Sequence, residues 1–386
     1  MKKIILASML AAIFGMAYAD DSSVTLYGRV DVGIETSTNV GTPNGNSTSV
    51  VSNADYASKL GVLAKENLGG GTTAGANLEM GFAPADGSQN VGGNNGQNSQ
   101  LFNRAANVFI GNDGLGKVTI GRQVNQNVKA AEYGEVRGGS NFGTALTFWD
   151  DSSSFGGSAT SKTGLANYTG GYFLSNAVRY DTPTFAGLQG SVTYVAGGAT
   201  SDSALGNLDA SNKYFVDLTY KLGDFNSAIG YSSFNGSNGT ANGQTAFIMG
   251  NYTFDKFKVA GGFTNMKNPN GDGAANTNYN LYQISGLYAV TPRTDVTIGY
   301  YKLQDVVNSN NGATQLSLYA NYKFSKRVYV WAGVASVNNN GTSGFGSTSA
   351  GTGNANLNSL STNYAAIPMN AGMVQTTYAT GISYSF

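Results

Sequence analysis

The 386-residue chain carries 22 basic and 22 acidic residues, 54 glycines, 23 tyrosines and 19 phenylalanines, and neither cysteine nor histidine. The missing cysteines exclude a disulfide scaffold, and the missing histidines exclude Ser-His-Asp and Cys-His catalysis and His-ligated zinc. The balanced charge offers no basic excess of the kind nucleic-acid binding needs.

Residues 1–19 read as a secretory signal peptide. Lys2 and Lys3 precede a short apolar stretch from Ile4 to Met16, and Ala17-Tyr18-Ala19 is a small-x-small cleavage site. The apolar stretch is too short for a stable membrane-spanning helix. The mature chain is expected to start at Asp20 and to form one domain over 20–386.

The first mature segment, "VTLYGRVDVGIE", sets the period. Val24, Leu26, Gly28, Val30, Val32 and Ile34 fall on one face, and Thr25, Tyr27, Arg29, Asp31, Gly33 and Glu35 on the other. Period-two alternation over about a dozen residues exceeds an ordinary globular strand and suits a tilted membrane strand. Seven hairpins follow. "SKLGVLAK" and "TTAGANLEMGF" flank a turn at 67–71, "RAANVFIGN" and "KVTIGRQ" one at 113–116, and "NAVRYDT" and "LQGSVTYVA" one at 183–187. "KYFVDLTYKL" with "FNSAIGYSSF", "TAFIMGNYTF" with "FKVAGGFT", "YNLYQISGLYA" with "TDVTIGYYKL", and "TQLSLYANYKF" with "RVYVWAGVAS" complete the set. The alternating "YATGISYSF" closes it. The expected fold is therefore all-β, a 16-stranded antiparallel transmembrane barrel.

Connections between hairpins are long and rich in Gly, Asn and Ser, as in "GTPNGNSTSVVSNAD", whereas those within hairpins are short. A soluble sandwich has no reason to sort its loops by length; a membrane barrel does, with short periplasmic turns and long external loops. Tyr252, Phe254, Phe257, Tyr322, Phe324, Tyr384 and Phe386 lie at the short-turn ends, and Tyr194, Tyr214, Phe263 and Tyr300 towards the long loops. Two aromatic belts at headgroup level are expected. Lumen positions such as Asp217, Thr219, Lys221, Asn321 and Lys323 carry charges and amides, so a wet rather than packed interior is expected. Strand one must pair with the terminal strand, because lipid tolerates no open sheet edge.

The chain resembles the general porins of the Gram-negative outer membrane, of neisserial and β-proteobacterial type. "LYGRVDVGIE", "SKLGVLAKENLGGGTTAGANLEMGF", "FIGNDGLGKVTIGRQ", "VRYDTPTFAGLQGSVTY" and the terminal "GISYSF" carry the resemblance in order and spacing over the whole mature chain. It implies an outer-membrane homotrimer amid lipid and lipopolysaccharide, no cofactor, and a terminal Phe386 that the barrel assembly machinery reads. It also implies that the third external loop, about 124–175, folds inward to narrow the pore. The wall positions matching the family's basic ladder are Arg29, Lys59 and Arg122. Arg179 points inward by alternation, with Val178 and Tyr180 outward. Arg122 reaches the lumen only if a bulge at the strand end re-aims it. Glu132 and Glu135 are the candidate loop acids, although the Pro-Glu-Phe-Gly-like turn of many relatives is missing.

The expected function is passive diffusion of ions and small hydrophilic solutes through a water-filled pore, with no reaction catalysed. A substrate-selective outer-membrane channel is the alternative. It would want an aromatic slide, of which "YTGGYF" and "LTFWDD" give only a hint.

Overall fold

The computed structural model describes residues 22–39, 45–88, 101–146, 148, 172–197, 212–235, 242–267, 278–341 and 372–386. The expected signal peptide and residues 149–171 of the third loop lie outside these. The strands are β1 (Ser23–Thr38), β2 (Asn46–Ser52), β3 (Lys59–Gly69), β4 (Thr72–Gly81), β5 (Ala105–Asn112), β6 (Gly116–Val124), β7 (Phe173–Asp181) and β8 (Leu188–Val195). They continue as β9 (Lys213–Leu222), β10 (Phe225–Asn235), β11 (Asn242–Phe254), β12 (Phe257–Lys267), β13 (Asn278–Thr291), β14 (Thr294–Asp305), β15 (Gly312–Lys323), β16 (Val328–Asn340) and β17 (Val374–Ser385). Each pairs antiparallel with its sequence neighbour, except that β2 and β3 both pair with β1 and not with each other, and β1 pairs with β17, so the sheet closes on itself.

The seventeen strands make sixteen staves. β2 and β3 lie end to end against β1: Ser23 to Arg29 pair with Lys65 to Lys59, and Val32 to Thr38 with Ser52 to Asn46. The sequence hides β2, because "NSTSVVS" sits inside a Gly- and Asn-rich stretch that reads as loop. Residues 53–58 leave the wall between the two strands. The ladder bonds that β1 would lose there are replaced. Asp31 accepts at its carbonyl from the Asn53 N–H at 2.9 Å, and its own N–H donates to Ser58 Oγ at 2.9 Å. Asn53 turns the chain inward with φ 63°, a left-handed conformation that Asn tolerates better than most residues.

Polarity is turned inside out, as a wall standing in lipid requires. Val24, Leu26, Ile34, Ile248, Ile284 and Ile298 are exposed on the outer face, while Asp31, Glu35, Asp217 and Gln283 are buried on the inner one. The aromatic belts form where expected. Tyr252, Phe254, Phe257 and Tyr288 follow one another around the short-turn rim, with ring centroids 6.0, 5.5 and 4.8 Å apart. Phe263–Tyr282 and Tyr194–Tyr214, each at 5.2 Å, mark the other rim. At the seam Phe386 exchanges backbone bonds of 3.0 and 3.1 Å with Gly28, and its ring lies across that glycine. A Cβ on Gly28 would come within 2.5 Å of the ring, so the closure needs glycine there.

The interior departs from expectation. Its β9–β17 side is packed, not wet: the third loop folds onto it and buries Phe148, Phe247, Met249, Met266, Leu281, Tyr301 and Leu303 in one cluster and Phe142, Tyr319, Trp331 and Val51 in another. The physical cause is visible in retrospect. These staves place large apolar residues on lumen positions, where water alone would favour polar ones.

Ile284 lies between Tyr288 and Tyr282 on the outer face of β13 and is 62% exposed. Ile284→Arg should fold into bilayers poorly, since arginine at the midplane costs roughly 2–4 kcal/mol, whereas Thr25→Arg, exposed on the lumen face, should fold nearly as wild type. Folding yield in lipid vesicles, read from the heat-sensitive gel shift, checks the pair; equal yields would mean that the assigned faces are wrong.

Candidate constriction site

The third loop leaves β6 at Val124 and turns directly into a short helix, α1 (Gln126–Ala131), followed by a 3-10 turn at Glu132–Gly134. Asn125 caps the helix, its side-chain oxygen accepting from the Asn127 N–H at 3.0 Å, which satisfies one of the free donors of the first turn. Val128, Ala130 and Ala131 are buried against the wall, and Lys129 is exposed on the opposite side.

Wall side chains then take up the loop's backbone groups in turn. Asn251 donates to the Tyr133 carbonyl at 2.9 Å and Gln283 to that of Gly134 at 2.9 Å. Lys258 donates to the Val136 carbonyl at 3.3 Å, while the Val136 N–H donates to Ser285 Oγ at 3.2 Å. Gln315 closes the row on the Thr144 carbonyl at 3.2 Å. Gly143 is doubly constrained, with φ +60° and a hypothetical Cβ only 2.8 Å from Ser317.

Glu135 belongs to this anchoring row and does not face the basic wall as the sequence led us to expect. It is 4% exposed and accepts from the Ala145 N–H at 2.8 Å, Tyr301 Oη at 3.0 Å and Ser285 Oγ at 3.4 Å. Burial pushes its carboxyl up to about 7, against the pull of these donors and of Arg137. The signal that could have revealed this is the inward Tyr301 of β14, a buried hydroxyl that needs a partner.

Across the lumen stands the basic wall. Arg29 on β1 is opposite Lys59 on β3 in the ladder. Lys59 reaches Glu79 of β4 at 3.1 Å, and Arg104, just before β5, reaches the same carboxylate at 2.7 Å. Arg29 donates to Ser385 Oγ at 3.2 Å and lies 4.4 Å over the Tyr56 ring. Tyr56 is within electrostatic reach of both Arg29 and the loop's Glu132, and Lys59 within reach of Lys129. Glu132 is bridged to Lys129 at 2.7 Å. Arg29 and Glu132 thus share electrostatic contact with Tyr56, and Lys59 with Lys129, while Arg104, Glu79 and Lys129, which sequence reasoning passed over, join them through ion pairs.

Two expected members make no ion pair with Glu79 or Glu132. Arg179 does point inward, but it bonds Asp181 at 3.1 Å near the β7–β8 turn, where Lys117 also reaches Asp181 at 3.4 Å. The bulge anticipated for Arg122 exists, as a register shift between Gly121 and Gln123. Arg122 nevertheless pairs opposite Ala106, on the face where Val108 and Ile120 are exposed. There it donates to the Asn103 carbonyl at 2.7 Å and to Ser175 Oγ, and lies 5.7 Å from the Phe173 ring centroid.

Glu135 gives the loop a pH dependence whose sign is fixed. A carboxyl with a folded pKa near 7 binds more protons folded than unfolded, where its pKa is roughly 4.3, so its contribution is fullest below the lower value and is lost as pH rises through the higher one. Wild-type melting temperature should therefore fall more between pH 4 and pH 8 than that of Glu135→Gln. Parallel slopes for the two proteins in a pH series of thermal melts would count against this environment for Glu135.

The profile of the Gram-negative porin family matches residues 6–342. Major outer membrane protein P.IB of Neisseria meningitidis is 29% identical over 350 residues, spanning 85% of this chain and 91% of that protein. An outer membrane porin of Bordetella pertussis is 28% identical over 290 residues, spanning 67% and 68%. Among solved structures, an anion-selective porin from Comamonas acidovorans superposes with a TM-score of 0.72 at 20% identity, covering 95% of this chain and all of that one. A closed sixteen-stave barrel, a loop folded across its lumen and this kinship make the chain a member of the Gram-negative porin family, an outer-membrane channel for passive diffusion of ions and small hydrophilic solutes.

Proposed function

We propose that the gap between the third loop and the β1–β5 wall is the channel's constriction and that it favours anions. The charge inventory carries this reading: Arg29, Lys59, Arg104 and Lys129 face Glu79 and Glu132, an excess of two positive charges among the described residues. At a narrow point between low-dielectric walls such an excess is focused and weakly screened, so it selects the sign of the permeant ion. The solved anion-selective porin of the same fold supports the sign.

Homotrimeric assembly is the second part of the proposal. The large outward apolar residues of β1–β6, among them Val30, Leu60, Val62, Leu78, Val108, Ile110 and Ile120, are not aromatic: no tyrosine, phenylalanine or tryptophan points outward on these strands among the described residues. From Tyr180 on β7 the aromatic belts begin. A ring at headgroup level is of use on a face that meets lipid and of none on a face covered by another copy. A trimeric form is described for OmpT of Vibrio cholerae, a barrel of the same fold with a TM-score of 0.60. On the lipid side, Lys267 and Lys302 are exposed at the external ends of β12 and β14, and we assign them to lipopolysaccharide phosphates. The exposed ring of Phe386 is the group we assign to recognition by the assembly machinery.

Reversal potentials in a KCl gradient test the first part. Wild type should be anion-selective, replacing Arg29, Lys59 and Arg104 by Gln should carry preference towards cations, and Glu132→Gln should strengthen anion preference. A triple variant with the wild-type potential would place the selecting charges elsewhere. For assembly, Val62→Trp should lose the trimer band on unheated gels yet stay a folded monomer, while Ile284→Trp, facing lipid, keeps it. Trimers from both would move the interface off the β1–β6 arc.

A further inference from the structure

We infer that residues 53–58, the segment between β2 and β3, form an internal bracket that sets the channel's aperture, with Asp55 as its positioning residue. The inference rests on the reading that the third loop narrows the channel.

Asp55 is fully buried, and its two carboxylate oxygens serve two different parts of the molecule. Oδ1 takes the loop: Ser140 Oγ donates at 2.5 Å and Arg137 Nη1 at 3.4 Å. Oδ2 takes the far wall: Tyr319 of β15 donates at 2.7 Å and Tyr329 of β16 at 2.9 Å. Its carbonyl accepts from the Asn141 N–H at 2.6 Å, and its own N–H is held by Asp31 Oδ1 of β1 at 2.9 Å. One side chain therefore fixes the loop against β15 and β16 while its backbone is fixed to β1.

The next residue faces the other way. Tyr56 donates to the Arg137 carbonyl and spreads its ring under Arg29, so it spans from the loop to the basic wall. Asp55 holds the loop back and Tyr56 keeps its distance from Arg29. Were β2 and β3 one continuous strand, both residues would lie in the wall and this stretch of the loop would lack its buried counter-charge. The chemistry calls for a carboxylate. It must accept four donors and balance Arg137, whose guanidinium is itself buried and lies 4.0 Å over the Tyr319 ring. An amide offers one acceptor oxygen and turns an NH2 towards groups that are already donors.

Single-channel conductance and liposome swelling with sugars of increasing size test the bracket on four variants. Asp55→Asn and the pair Tyr319→Phe with Tyr329→Phe should keep the heat-modifiable barrel, raise conductance by roughly 1.5-fold or more, add open-channel noise and admit larger sugars, because a pore's radius and its lining set what passes. The pair Asp55→Cys with Ser140→Cys, in a chain with no other cysteine, should conduct less when oxidised, with the loop tied to position 55, and return to the conductance of Asp55→Asn after reduction. That reversible return is something a general loss of stability would not produce. Lys129→Trp, on the exposed face of α1, should lower conductance if the loop is the constriction at all. Lowered conductance in Lys129→Trp with wild-type conductance in the Asp55, Tyr319/Tyr329 and reduced cysteine variants would overturn the bracket and leave the constriction standing. No change in any of the four would remove both.

Discussion

The seam between β1 and β17 is the constraint on which everything else in this molecule depends. In lipid an unpaired N–H or C=O costs several kcal/mol, so a sheet there has no choice but to close. Closure brings Arg29 opposite Ser385, Val30 opposite Tyr384 and Gly28 against Phe386. It fixes which face of every strand sees water, because a slip of one residue at the seam would turn each lumen charge into the membrane. The register of β1 in turn sets Arg29 beside Lys59, and through Lys59 the Glu79–Arg104 group. The basic wall is a by-product of how the barrel shuts.

The outer half of this design is legible in the sequence. Alternation in "VTLYGRVDVGIE" and its successors reports lipid on one side, and lipid is a uniform solvent that asks the same of every outward position. Fifteen of the sixteen staves follow from that period and from the turn residues. The sixteenth was half hidden, because β2 is polar and short and its continuation into β3 is broken by a segment with a task inside the barrel.

The inner half is less legible, for a physical reason. A lumen residue meets water, a neighbouring charge or the folded loop, and its own sequence neighbours do not say which. Glu132 and Glu135 lie three positions apart on the same stretch, yet one is bridged to Lys129 at the gap and the other is buried under Tyr301. Asp55 looks in the sequence like any loop acid in "SNADYAS", and only the meeting of four distant segments gives it a role. What could have been read is the mismatch on the wall. Phe247, Met249, Leu281, Leu303 and Trp331 occupy lumen positions, and apolar side chains there announce that something covers them.

The distribution of the loop's anchors also orders events in time. Apart from residues 53–58, its partners lie on β10 through β16, most of them more than a hundred residues downstream, and the seam joins positions 356 apart in the chain. Contacts of such separation are the slow ones to form, because the intervening chain must be ordered first. Beyond residues 53–58, the loop has nothing to dock on until the wall opposite it stands. On these separations the wall is expected to close before the loop settles across the bore.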